Sequence, residues 1–179
     1  LHLSLRRQRQ MCIRDRRGAS TEAANLSAAI TQDIARNIEF FDLSIQGVLD
    51  ELKNPAVRTT PLEIRKLILF DRAASAPYLG GIFVVDETGH ITIDSRGSNT
   101  GTLDLRDRDY FKAHAERSDV GLYIGRPVVS RVDGERFIAL SRRISKPDGS
   151  FGGVVVGSIH LAYFPVSYTH LRAHETGRN

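Results

Sequence analysis

The 179-residue chain has one cysteine, one methionine and no tryptophan, and aromatic residues make up only 7% of it. No apolar run approaches the roughly 18 residues that a membrane span requires. The longest, Leu67–Phe70, Gly81–Val85 and Val154–Ile159, have the length of strands or core helices, so the chain as it stands is not expected to cross a membrane. It contains no phosphate loop, no dinucleotide fingerprint and no His-rich metal spacing, and no cofactor is expected. The net charge of +4 would fit a polyanionic partner if it belonged to the fold. It does not: between Gly18 and Phe164 there are 17 Lys and Arg against 19 Asp and Glu, a balance of −2. Nucleic-acid binding loses its main support. With 41% hydrophobic and 26% charged residues, the composition is that of an ordinary globular domain.

The basic excess sits at ends that share a coding pattern. One DNA string read on opposite strands could encode both Met11–Arg16 and Pro165–His170. That string resembles a transposon-end sequencing adapter, and Leu171–Thr176 is similar to its continuation. Residues 1–16 and 165–179 are therefore expected to be adapter-derived and to lie outside the fold. The only Met and the only Cys fall within them. The remainder, an internal fragment, then lacks any disulfide, thiolate zinc site or Cys nucleophile.

From Ala19 to Leu52, Leu26, Ile30, Ile34, Ile38, Phe41, Ile45, Val48, Leu49 and Leu52 recur at steps of three and four. That spacing predicts one face of a long helix over about 17–55, stopped by Asn54-Pro55, although two consecutive helices would carry the same pattern. Thr60-Pro61-Leu62-Glu63 signals a second helix running to about Ser75. The period then changes to that of strands: Gly81–Asp86, His90–Ser95, Leu122–Arg131, Arg136–Ser145 and Phe151–Leu161, with hairpin turns at Glu87-Thr88-Gly89, Val132–Glu135 and Lys146–Ser150. A polar loop, Arg96–Leu105, and a short helix over about 107–116 interrupt them. The expected fold is α+β, a long N-terminal helix on a five-stranded antiparallel sheet, with the sheet-bearing module spanning 56–164. One sheet face packs on the helix and the other holds the loop.

Signals for catalysis are weak. Asp107 with Asp109, and Asp133 with Glu135, sit at a helix start and in a turn, where capping and solvation explain them. His90, His114 and His160 are scattered. Arg106-Asp107-Arg108-Asp109-Tyr110-Phe111 is denser in chemistry: two guanidinium groups able to fork onto a carboxylate and two rings able to wall a pocket. A helix cap with ion pairs and an aromatic anchor is the structural alternative.

Gly81–Asp86, Asp107–Phe111, Ile124–Val128, Leu140–Arg143 and Gly153–Val156, in that order after a long helix, resemble the PAS-like Cache sensor domain. The similarity is to the first, membrane-distal module of double Cache sensors, as found ahead of bacterial diguanylate cyclases. The resemblance implies a periplasmic, non-enzymatic ligand sensor with flanking membrane helices, a second module and dimerisation in the intact receptor. It also implies a pocket motif of the form Arg-x-Trp-Tyr, onto which Arg108 maps as the group that takes a ligand carboxylate. Tyr110 and Phe111 stand at the aromatic positions, and Ser158 stands near an expected Asp. A hydroxyl cannot compensate a buried ammonium, so a small carboxylate or other small anion is the expected ligand. Arg106, Tyr123, Ser130 and Ser141 complete the candidate pocket. A ligand-free dimerisation module, as in a histidine kinase or chemoreceptor, and a cytoplasmic PAS-like regulator or small enzyme are the competing readings.

Overall fold

A computed structural model describes residues 2–70, 79–97 and 103–161, with side chains from residue 21 onward except those of 58 and 79. The end of the expected second helix, most of the polar loop's middle and the 165–179 segment lie outside the described residues. The chain divides into two compact units, Leu1–Phe40 and Phe41–Asn179. Helix α1 (His2–Lys53) runs without a break through Gly47, and begins well before the expected residue 17. In the first unit Ile30, Ile34, Asn37 and Ile38 are its less exposed positions, in keeping with the three-and-four spacing.

In the second unit, the last turns of α1 bury Phe41, Ile45 and Val48. The Asn54 side chain accepts from the Ala56 N–H at 3.0 Å and Pro55 takes the first helical position. The Asn-Pro pair thus stops one helix and starts the next, α2 (Pro55–Thr59), which α3 (Leu62–Phe70) follows. Then come β1 (Leu79–Asp86), β2 (Ile91–Asp94), α4 (Asp109–Glu116), β3 (Tyr123–Ile124), β4 (Val128–Val129), β5 (Arg136–Ser145) and β6 (Phe151–His160). The sheet is antiparallel in the order β2-β1-β6-β5-β3, with β4 also on β5. The expected strand Leu122–Arg131 is split into β3 and β4, giving six strands rather than five. Pro127, which has no N–H to offer a ladder, stands in the gap.

Strand β6 is central and buried on both faces: Val154, Val155 and Val156 are all fully covered. Val154 and Val156 join Val85, Leu105, Tyr110, Phe111, Phe137 and Ala139 in the core beneath α4. Gly157, on the opposite face, lets α1 come close: a Cβ there would lie 3.3 Å from Ile45 Cδ1. Asp42 of α1 forks onto Arg142 of β5 at 2.5 and 2.8 Å. That pair is mostly shielded from solvent, and hydrogen bonding from Arg142 holds the Asp42 carboxyl below its usual range. Under α4, His114 is fully buried with Nε2 3.0 Å from Ser141 Oγ. Its Nδ1 has no partner among the described residues.

Gly153 has φ +119°, and a Cβ built on it would meet Val85 O at 2.0 Å. Gly153→Ala is therefore expected to cost at least about 2 kcal/mol in urea unfolding, by forcing β1 and β6 apart. Burial, with Arg143 and Arg142 adding to it, lowers the basicity of His114 below its ordinary value of 6.5. Protons then bind the unfolded chain better. The stabilisation from neutral His114 is present above pH 6.5 and is lost as pH falls from there through the lowered folded value. Melting temperature should drop between pH 7.5 and about 5.5, and His114→Gln should flatten that slope; parallel slopes in the two proteins would contradict it.

Candidate functional site

The open side of the sheet, beside α4, carries a cleft. Its apolar wall comes from Phe83, Ile91, Leu105, Tyr110 and Phe137, and its polar groups from three arginines, two aspartates, Ser130, Ser158 and His160. Its cavity volume is about 60 Å³. A single water needs about 10–15 Å³ by that measure, so the space suits a molecule of only a few heavy atoms.

Arg108 enters the wall from the residue that precedes α4, in extended backbone geometry with φ −72° and ψ 138°. Its Nη2 donates to the Val129 carbonyl at 3.0 Å. It makes no ion pair among the described residues, because the neighbouring Asp107 carboxylate is held by Arg131 at 2.6 and 2.9 Å. Asp107 is accordingly kept below the usual carboxylate range, and it is a salt-bridge partner rather than a helix cap. Tyr110, the second residue of the helix, is 3% exposed. Burial pushes its phenol up to about 12, against the opposing pull of Arg108 and Arg131. It stays protonated, and its hydroxyl makes no hydrogen bond among the described residues.

The opposite wall belongs to β6 and the β4–β5 turn. Ser158 Oγ donates to the Gly81 carbonyl at 3.1 Å. Ser130 Oγ accepts from the backbone N–H groups of Val132 and Asp133 at 3.2 and 3.3 Å, which shapes the turn. Hydrogen bonding from Ser130, then from the Glu135 N–H, with Arg96 adding, holds Asp133 below its usual range. Arg96 bridges Asp133 at 2.9 Å and His160 Nε2 at 2.5 Å.

Four of the eight sequence-derived candidates, Arg108, Tyr110, Ser130 and Ser158, thus meet in one cleft. The other four do not line it. Arg106 turns to solvent, where it chelates Asp104 at 2.7–3.1 Å and keeps that carboxyl down at about 2. Phe111 points into the core, edge-on to Phe151 at 5.2 Å, because adjacent helical positions cannot face the same way. Ser141 is occupied by His114, and Tyr123 packs edge-on to that same imidazole at 6.2 Å. Asp94, Arg96 and Arg131 line the cleft without having been singled out, and Asp133 and His160, set aside in the sequence as a turn residue and a scattered histidine, line it too. For His160 a signal existed: two residues beyond Ser158 on a strand, it must share that face. For Asp133 and Arg96, a turn and a loop mouth hid theirs. The two aspartates also mean that Ser158 at the β6 position does not leave the cleft without carboxylates. Arg96 already engages both: Asp133 through its guanidinium, and Asp94 through its backbone N–H at 3.0 Å.

No protein-family model and no curated protein matches the chain. Solved structures do. The extracellular domain of rpHK1S-Z16, described as a histidine kinase, matches with a TM-score of 0.56 at 29% identity, over 81% of this chain and 63% of that one. The ligand-binding domain of the Campylobacter jejuni chemoreceptor Tlp3, in complex with L-valine, matches with a TM-score of 0.55 at 18% identity, over 73% and 54%. That of the Pseudomonas fluorescens chemoreceptor CtaA, in complex with L-serine, has a TM-score of 0.51 at 22% identity, over 75% and 54%. The chain spans less than two thirds of each. Among the described residues no helix is long and apolar enough to cross a membrane. The fold is that of the extracellular and ligand-binding domains of these receptors, an antiparallel sheet with a long N-terminal helix.

Proposed function

We propose that this chain is the extracytoplasmic sensing module of a bacterial transmembrane receptor and that its cleft takes a small carboxylate or similar small anion on Arg108. The observation that carries this reading is the state of Arg108: partly buried in the cleft wall, committed to one backbone carbonyl, and without a carboxylate of its own among the described residues. Arg96 and Arg131, by contrast, each hold an aspartate. A guanidinium with donors to spare, beside a phenol that can only be a neutral donor or acceptor, suits one carboxylate group. The limited volume favours a ligand of acetate or pyruvate size.

Sensing requires that the ligand bind two arrangements of the protein unequally. Strand β6 supplies a short path: Ser158 and His160 face the cleft, while Gly157, immediately before Ser158, backs onto Ile45 of α1. Helix α1 is the transmitter in this reading. The receptor acts as a homodimer in the periplasm, has a second module beyond residue 164, and ends in a diguanylate cyclase. Residues 1–16 and 165–179 are adapter-derived.

Melting the full chain against a panel of small mono- and dicarboxylates and inorganic anions tests the site. A ligand present at about 100 times its dissociation constant adds about 2.7 kcal/mol, or roughly 5–10 °C for a chain of this size. Arg108→Ala should abolish that stabilisation while leaving the ligand-free melt within about 1 kcal/mol of the parent. Equal stabilisation of mutant and parent would remove Arg108 from the site, and a flat panel would favour the ligand-free dimerisation module. Amplifying the native DNA on either side should reveal a membrane span upstream and a second module, span and signalling domain downstream. An open reading frame that continues unchanged through both ends would contradict the receptor context.

A further inference from the structure

We infer that Arg96 and His160 form a pH-sensitive latch on the rim of this cleft; the inference rests on the sensor reading and adds a mode of regulation to the same site. Arg96 follows the end of β2. Its Nη2 lies 2.5 Å from Nε2 of His160, the last residue of β6, and its Nη1 lies 2.9 Å from Asp133 Oδ2 in the β4–β5 turn. One side chain therefore ties three elements together across the cleft, at separations of 64 and 37 residues.

The protonation state of the imidazole follows from the partner. A guanidinium has donors and no acceptor, so Nε2 of His160 is the acceptor and the ring proton is on Nδ1. Charging the ring places an N–H on both nitrogens: donor then faces donor, and cation faces cation. The surroundings do not offset this. From the end of β2 and the turn after it come Asp94 and Arg96, from the β4–β5 turn Arg131 and Asp133, and from the residue before α4 Arg108. Asp94 accepts Arg96's own backbone N–H at 3.0 Å, and Asp133 holds the Arg96 guanidinium. β1 contributes only Gly80, Gly81 and Phe83, and β5 only Phe137. A charged His160 thus meets guanidinium groups whose nearest carboxylates are in use.

The geometry also decides which partner gives way. A Cβ on Gly80 would fall 2.0 Å from His160 Cδ2. The ring therefore lies close against the β1 backbone at Gly80 and has no room to retreat into it. The Arg96 side chain is 39% exposed and can swing outward while keeping its hold on Asp133. When the ring takes up its second proton in acid, the strap releases β6, the rim opens and the cleft gains a positive charge. Both changes favour entry of an anion in acid conditions.

Imidazole and guanidinium nitrogen NMR on the full chain tests this without any ligand. At pH 8 His160 should show the Nδ1–H tautomer and Arg96 a slowly exchanging Nη–H signal. At pH 5.5 that signal should be lost. In His160→Gln, whose amide oxygen accepts at either pH, it should persist at both. An Nε2–H tautomer at pH 8, or an Arg96 signal in the parent that is the same at both pH values, would overturn the latch. Because no ligand enters the measurement, its outcome is separate from that of the anion panel: a stabilising anion with no latch, or a latch with no stabilising anion, sinks only one of the two readings.

Discussion

Everything in the second unit depends on one strand being buried on both faces. β6 lies between β1 and β5, so each of its residues faces either α1 or the cleft and α4, and neither face is free to be polar at its middle. The run Gly152–Gly157 answers that constraint with glycine and valine alone. Valine fills both layers, Gly157 gives α1 its close approach, and Gly153 accepts a carbonyl where no Cβ fits. Only past Gly157, where the strand leaves the helix-covered centre, do Ser158 and His160 bring polar atoms to the cleft.

The charges follow the same economy of position. Arg142 on the helix side of β5 is matched by Asp42 of α1. Arg131 on the cleft rim is matched by Asp107, and Arg96 by Asp133. Among the three arginines of the cleft, Arg108 is the one bonded only to a backbone carbonyl. Leaving a charge in a partly buried wall without a counter-charge costs stability. A site that must welcome an anion has reason to bear that cost. The shared backbone of β6 then connects the cleft to α1 over single-residue steps, without a long relay.

Much of the fold was legible because the period of the apolar residues is set by backbone geometry. The three-and-four spacing from Leu26 to Leu52 and the turns at Gly89, Gly134 and Gly149 mark elements that the structure contains. Strand β5 was readable to the residue. What was not legible came from competition between local rules. Pro127 breaks a strand that its neighbours favour, and helix α1 continues ahead of residue 17. Asp107 prefers an arginine 24 residues away to the helix end beside it. The site was half legible for the same reason. Arg108 and Tyr110 were visible as a local cluster, but a cluster in sequence does not say which members face inward. Arg106 and Phe111 flank them and turn to solvent and core respectively. The partners supplied from afar, Arg96, Asp133 and His160, are brought together only by the sheet order.

The most direct test of the central claim is an acetate titration of the full chain, followed on the arginine side-chain Nε–H signals. Arg108 should shift and saturate, and Arg106, which faces solvent on its own carboxylate, should not move. A saturating shift at Arg106, or movement of all arginines in step without saturation, would contradict the assignment of the cleft as an anion site.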